Sequence, residues 1–552
     1  MIPILTMKHP SPYSSRLRQW LSGACFAILI AATVSALGQS IGQTWEGIVS
    51  DNTSVPPDPH GAPGPAGVLA TVNLRISYFS KAGAIIWGPT ALGGTFFPAN
   101  TGVGNQNSDP KVIFDQDSRR FFVIMQENQA STFWLNVAVS RTADPRTPGA
   151  ADWIVYRLNA TENAASNSAG GVNYGGDYPG LAVDSRALYV TYRMYGFTAS
   201  GQLSGLGADY INTALLILNK NQLLNGPGTV VSLYQNVFGL QPVTPIPQSG
   251  TAGNNVMFMV DNSAANSITI YSVTDPLGAR TVASRALTIV NRGNGVGAGA
   301  PQSGSVLTVP TIDRTMGNAS LTGGDVWFCA TRGTAGGRAV AAYYRVRLNG
   351  WPISGSNPTL VEDNTVGNAA EWNFCPAIGV NLGGDVAITW TRSSSSIFPA
   401  IACAWRTSTD ASFGTPQTVT TSISRPPPLP PIGPTFNSDG RWGDYFSAWP
   451  DPNDGSIWIT SEWTRADTGN WSTWWAQITM PPRDSYVDLN GNAFFQNGSS
   501  VFPWLTVGLA HTTITSGTIH IAAGHYNEQI TLNKSVTLQK NGGGGDVVIG
   551  AP

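Results

Sequence analysis

Apolar residues along this chain come in short runs, each closed off by Gly, Pro, Asn or Asp. Val68–Val72, Leu74–Phe79 and Ala84–Trp87 are the first, with a turn at Lys81-Ala82-Gly83. Val112-Ile113-Phe114 then leads through a turn at 115–119 into Arg120–Gln126, and Asn136–Ser140 and 152–158 follow. Runs of this length, bounded by turn residues, predict β-strands. No segment keeps an apolar i, i+3, i+4, i+7 face over several turns, so long helices are not expected.

The stretch Arg441–Arg465 shows the unit most clearly. A Gly-Asp-Tyr lead opens the run Tyr445–Trp449, and 450–455 (PDPNDG) is a tight turn, because Pro fixes φ and Gly tolerates φ > 0. Ser456–Trp463 returns as the second strand of a hairpin. Ile457 and Ile459 face one side, Trp458 and Thr460 the other. Both sides are largely apolar, so both are expected to be covered. A lone hairpin is not stable, and this one needs copies beside it.

The chain supplies them. Units of the same plan begin near residues 58, 109, 177, 255, 318, 375 and 444, irregular in spacing but near the ~40–50 residues of propeller blades. A radial array buries both faces of every sheet, whereas a sandwich shows apolar-in, polar-out alternation. The expected fold is therefore all-β: a seven-bladed β-propeller over residues 45–482, with Trp45–Ile48 closing the ring on the last blade. Strands end in Ser140-Arg141, Thr331-Arg332, Thr391-Arg392 and Thr464-Arg465, which are expected on one rim, solvating the strand ends.

Three segments stand outside the repeat. Lys8, Arg16 and Arg18 precede the apolar run Trp20–Leu37, which reads as a secretory signal peptide over residues 1–38. The competing reading is a transmembrane anchor, but Ser22, Gly23 and Ser35 interrupt the run. Ser424–Asn437 is a polyproline-like connector between the sixth and seventh units. From 486 to 552, short strands recur without room for hairpin returns, as in the coils of a parallel β-helix.

Composition narrows the function. Charged residues make up only 11% of the 552 positions and the net charge is −2, so nothing attracts nucleic acid or an anionic membrane. After the leader, Cys329, Cys375 and Cys403 remain. They are read as buried apolar residues, with a Cys375–Cys403 disulfide as the alternative.

The blocks 56–65 (PPDPHGAPGP), 108–123 (SDPKVIFDQDSRRFFV), 177–195 (DYPGLAVDSRALYVTYRMY) and 440–463 resemble large secreted bacterial propeller proteins that are distantly sialidase-like and carry no settled activity. That resemblance spans roughly residues 45–480 and implies the fold. PWLTV, GTIHIAAGHYNEQITL and KSVTL in the tail resemble the first coils of pectin-lyase-like right-handed β-helices. The catalytic residues of such helices normally lie on later coils, so none is assigned here.

A sialidase-like site would need an arginine cluster, a Tyr/Glu pair and an acid. Arg441, Tyr445 and Glu462, all in one unit, are the candidate catalytic set. Asp58, Asp109, Asp177 and Asp444 each lead the first strand of a unit and are expected together at one end of the ring. Their carboxylates offer oxygen ligands of the kind Ca²⁺ takes; the preferred alternative is that each braces its own turn through backbone N–H groups. No cofactor is otherwise called for. With few His and no Cys-x-x-Cys, a zinc site is not expected. Trp442, Trp463, Trp471 and Trp474 are candidates for stacking on sugar rings. Two functions follow: a secreted or cell-surface module that binds a glycan or a protein without catalysis, or a carbohydrate-active enzyme with its site over the ring mouth.

Overall fold

The computed structural model describes residues 40–550, apart from 52–53, 101–105, 165, 205–206, 227–229, 236–238, 248–254, 291, 293–298, 307, 312–316, 354–355, 422–440, 466–469, 481–483, 492–502, 515 and 543. The expected signal peptide at 1–38 and the polyproline connector lie outside the described residues. The rest is almost entirely strand. β1 (Ser40–Val49) is followed by an antiparallel sheet of β2 (His60–Pro63), β3 (Gly67–Val72), β4 (Arg75–Ser80) and β5 (Ile85–Ala91). The next sheet holds β6 (Gln106–Asp115), β7 (Arg120–Gln129), β8 (Thr132–Ser140) and β9 (Trp153–Asn159). The third holds β10 (Glu162–Asn163), β11 (Asn173–Val183), β12 (Ala187–Gly196), β13 (Tyr210–Asn219) and β14 (Val230–Gln235), with the short helix α1 (Lys220–Asn225) between the last two.

Two sets of four strands then share one sheet. They are β15 (Gln241–Pro245), β16 (Val256–Asp261), β17 (Ser267–Thr274) and β18 (Thr281–Thr288), and β19 (Ala319–Thr322), β20 (Asp325–Gly333), β21 (Ala339–Arg347) and β22 (Thr359–Val366). Their junction is a parallel pairing of Val243–Pro245 with Ala319–Leu321. β23 (Trp372–Val380), β24 (Val386–Ser394), β25 (Ile397–Arg406) and β26 (Gln417–Thr421) make another sheet. β27 (Ser447–Pro450), β28 (Ile457–Thr464) and β29 (Trp471–Thr479) make the last, and β1 completes it.

The first strands are packed side by side in a closed cycle: β2 on β6, β6 on β11, β11 on β15, β15 on β19, β19 on β23, β23 on β27, and β27 back on β2. This is a β-propeller. Its closure is N-terminal: β1 pairs with β29, Trp45 opposite Trp475. Trp45 stacks on Trp475 at 5.8 Å and joins Trp458, Trp471, Val68 and Phe79 in one apolar cluster. Both faces of β28 are buried along Ile457–Glu462, because sheets lie on either side of it. The turns from first to second strand are built alike. Asp115, Asp184 and Asp451 accept backbone N–H groups two or three residues on, from Ser118 at 3.1 Å, Arg186 at 2.7 Å and Asn453 at 2.9 Å.

Two expectations need correcting. The unit expected to begin near Asn255 begins at β15; Val256–Asp261 is its second strand. β15 is only five residues long and carries two prolines, so it gives no apolar period to find. The polar tags also do not share a rim. Thr331-Arg332, Thr391-Arg392 and Thr464-Arg465 end second strands, but Ser140-Arg141 ends the third strand β8, and antiparallel order sends it to the opposite end. Nor is Arg332 solvated: it is 0% exposed and donates to the carbonyls of Asn262 (2.7 Å), Ala264 (2.8 Å) and Ala265 (2.9 Å) in the adjoining β16–β17 turn.

In the tail, β30 (Ser485–Val487), β31 (Ser516–Ile521) and β33 (Ser535–Lys540) pair in parallel, as do β32 (Gly524–Tyr526) and β34 (Val547–Ile549). The two-turn helix α2 (Val507–Thr513) has its first amides capped by Glu528. Val487, Trp504, Ile519 and Tyr526 share an apolar cluster with Ile246 and Leu382, so the tail docks on the propeller. Cys329, Cys375 and Cys403 are buried and form no disulfide. No helix among the described residues is long and apolar enough to cross a membrane.

Candidate functional site

Four strands of the inner cycle, β2, β6, β11 and β23, share an irregularity near their starts. Asp58, Asp109, Tyr178 and Cys375 each precede a proline and each has positive φ, from 45° to 59°. In β6, β11 and β23 the pairing register slips at that point. A bulge there turns the side chain off the ladder. Positive φ is uncommon outside Gly, and repeated strain of this kind marks a place where side chains are held for a purpose.

The four leading aspartates lie close together, and they do not brace their own turns. Asp58 Oδ1 accepts the Asp444 amide at 2.6 Å, and its other oxygen accepts Asn73 Nδ2 at 2.8 Å. Asn73 Oδ1 in turn accepts the Asp109 amide at 2.8 Å. Asp109 Oδ2 faces the Tyr178 amide at 3.4 Å, and Asp177 accepts Gln126 Nε2 at 3.0 Å. The carboxylates of Asp58, Asp109 and Asp177 therefore tie their strands to a neighbouring sheet, whereas that of Asp444 pairs within its own segment. Among the described residues no three His, Cys, Asp or Glu side chains are grouped so as to hold a metal ion.

Arg441, Tyr445 and Glu462 surround the same place. Arg441 is ion-paired with Asp444. Glu462 Oε2 accepts the Gly443 amide at 2.7 Å. The Tyr445 ring meets that of Tyr178 edge-on at 5.0 Å and covers the Lys111 ammonium, 3.0 Å from its centre. Lys111 and His60 were missed by sequence reasoning. The signal was the repeated word Asp-Pro-His at 58–60 and Asp-Pro-Lys at 109–111, which puts a basic residue two positions after each strained aspartate. His60 Nδ1 accepts the Val112 amide at 3.1 Å.

Burial dominates the electrostatics. It raises Asp444 to about 7, with the Asp58 charge adding to it and Arg441 opposing. Burial also raises Asp109, helped by Asp177 and Asp58, and raises Glu462 and Asp58. It lowers Lys111 to about 7 against the pull of Asp109, Asp58 and Asp444. Burial and Lys111 hold His60 neutral, well below its usual range. Burial works against the Arg441 charge, and Asp444 and Asp58 more than restore it. Such a cluster can hold or release protons near neutral pH.

The tryptophans divide. Trp442 and Trp471 are 1% and 4% exposed and belong to the core, so they do not stack on a ligand. Trp442 Nε1 donates to Thr391, and Trp471 Nε1 to the Ser54 carbonyl. Trp463 and Trp474 are half-buried and meet edge to face at 5.2 Å. Trp463 lies at the end of β28 where the first strands begin, so the pair shares a rim with the ionisable cluster.

No family model matches the chain, and neither does any curated protein. Solved structures do. The sialidase of Trypanosoma rangeli with the inhibitor DANA matches at 10% identity over 73% of this chain and 57% of that one, TM-score 0.32. The NanB sialidase of Streptococcus pneumoniae matches at 9% over 68% of each chain, TM-score 0.36. A protein of unknown function from Dyadobacter fermentans matches at 12% over 68% of this chain and 95% of that one, TM-score 0.33. The chain spans less than three fifths of the length of that T. rangeli sialidase. The assignment to the β-propeller class rests on the cycle of first strands and the pairing of β1 with β29.

Proposed function

We propose that this is an exported seven-bladed propeller with a β-helix-like tail, and that it binds an extracellular glycan at the rim of its closing sheet without catalysing a reaction. The observation that carries this reading is the half-exposed pair Trp463 and Trp474 beside the mouth. An indole face stacks on a sugar ring through apolar contact, for which low charge is no handicap. The buried carboxyls support the non-catalytic side. A general acid must come within hydrogen-bond reach of the glycosidic oxygen, whereas Asp58 and Glu462 are each 2% exposed and hold backbone amides. Titration of a polysaccharide panel by calorimetry tests the reading. Trp463→Ala and Trp474→Ala are expected to weaken binding roughly tenfold or more each, in line with the value of a buried aromatic contact. Unchanged affinity in both would sink it.

The enzyme reading draws on a different feature, the burial that brings Asp444 up to about 7 and Lys111 down to about 7. It requires turnover of a fluorogenic sialoside or polysaccharide that Glu462→Gln or Asp444→Asn abolishes. If neither binding nor turnover is found, a protein partner is left. Export has its own check: the secreted protein is expected to begin near residue 39, and N-terminal sequencing that starts at Met1 contradicts it.

A further inference from the structure

The segment Trp442–Phe446 is anchored at its ends and ill-matched in its middle. Trp442 and Phe446 sit in one apolar cluster with Cys375, Ala448 and Ile459. Between them, Gly443, Asp444 and Tyr445 lie on a polar floor made by the first strands. A few bonds hold them there. The Gly443 amide donates to Glu462 and the Asp444 amide to Asp58. The Gly443 carbonyl accepts Cys375 Sγ at 3.2 Å, and the Asp444 carbonyl accepts the Tyr178 hydroxyl at 3.4 Å.

Other polar atoms at this contact have nothing. Lys111 Nζ under the Tyr445 ring, Asp444 Oδ1 and the Tyr445 hydroxyl are all buried without a hydrogen-bond partner. The Tyr445 hydroxyl is close enough to favour the Asp109 charge but does not meet hydrogen-bond geometry. A buried donor or acceptor without a partner forfeits the bond it would make with water, so each one disfavours the shut arrangement. Contact with the Tyr445 ring gives back only part of what the Lys111 ammonium loses. Three of the positive-φ residues, Asp58, Tyr178 and Cys375, are the same ones that hold the segment. Unpartnered atoms and backbone strain thus gather under three residues, while the anchors on either side are well packed.

We propose that Gly443–Tyr445 is a strap, shut in this structure, that lifts between its anchors Trp442 and Phe446 to uncover Asp109, Lys111 and Tyr178 as the floor of a ligand site. Lifting breaks the two amide–carboxylate bonds and the two carbonyl bonds to Cys375 and Tyr178, whose partners water can replace, and solvates the three unpartnered atoms. Gly443 supplies the backbone freedom. The uncovered floor mixes the donating Lys111 ammonium and Tyr178 hydroxyl with the accepting Asp58 and Asp109 carboxylates. That mixture suits a hydroxyl-bearing neutral ligand better than an ion of either sign. The charged groups facing the strap are Asp58 and His60 from β2 and its approach, Asp109 and Lys111 from β6, Arg193 and Asp177 around Tyr178, and Glu462 from β28. Arg441 faces it from the strap's own approach. Buffer pH is therefore held fixed in the test.

Hydrogen exchange of the full-length secreted protein at neutral pH, read by mass spectrometry, reports the motion directly. Peptides over 441–446 are compared with peptides over 187–196 in β12. The Gly443 and Asp444 amides are expected to exchange at least about tenfold faster than the β12 amides, as for a local opening below the global barrier. Equal protection would overturn the proposal. Lys111→Met, which fills similar space against the Tyr445 ring without an unpartnered ammonium, is expected to slow strap exchange about fivefold. Tyr445→Phe removes one unpartnered hydroxyl and is expected to act in the same direction, which keeps the test alive if the lysine variant fails to fold. Faster strap exchange in Tyr445→Phe, with β12 unchanged, would make these groups structural and the strap a fixed part of the ring.

Discussion

Stability is expected to fall as the pH rises from about 4 to about 7 and to recover above that, leaving a minimum near neutrality. The carboxyl of Asp444 ordinarily titrates at 3.8 and is held up to about 7. Between those values the folded chain keeps a proton that the unfolded chain has released. That contribution is fully present below the ordinary value and lost as the pH rises through the folded one. Three units correspond to at most about 4 kcal/mol. Asp58, Asp109 and Glu462 are shifted the same way and add to the loss. Lys111 supplies the other limb, since its ordinary 10.5 is lowered to about 7. From 10.5 down to 7 the unfolded chain holds a proton the folded chain lacks, so its contribution is present at high pH and lost as the pH falls through 7. His60, held below 6.5, opposes the acid limb, one group against four. Urea denaturation near pH 4.5, 7 and 9.5 measures the curve. Asp444→Asn should flatten the acid limb and spare the alkaline one. A stability maximum at pH 7 in the wild type would contradict the cluster as described.

Arg332→Ala is expected to cost about 3–5 kcal/mol, or to prevent folding, because it strips three carbonyls of the β16–β17 turn of a charged donor. The side chain is 0% exposed, so water does not take its place without a cavity or a rearrangement. Arg332→Lys keeps the charge but not the planar fork that reaches three oxygens. It is expected to fall between the wild type and the alanine variant. A denaturation midpoint for Arg332→Ala that corresponds to less than about 1 kcal/mol would show that the turn finds other donors.

Arg332 also shows where sequence reading stops. Thr-Arg at the end of an apolar run reads as a solvated strand end, and for Arg465, half-exposed beside Glu46, that is close to the truth. What buries Arg332 is a turn some seventy residues earlier, placed against it by the ring. The aspartates behave the same way. Their position at the head of each unit was legible, because Asp-Pro and Gly-Asp before apolar runs recur in the chain. Most of their partners were not, because the carboxylates of Asp58, Asp109 and Asp177 reach an amide on another sheet. Asp58 and Asp444 are 386 positions apart. The tryptophans were separable only by burial, which depends on which strand has a neighbour on which side.

Local patterning alone determined the strands, their turns and the two-sided covering that requires a radial array. Those follow from alternation and from the φ preferences of Gly, Pro and Asp, which act within a few residues. Tertiary structure decided the rest. Ring closure by β1 on β29 brought residues from both ends of the chain to one point. The packing of first strand on first strand then took Lys111 and the carboxylates out of water, and the loss of solvent set their proton affinities. Burial and long-range contact are properties of the assembled ring, so no run of neighbouring residues carries them.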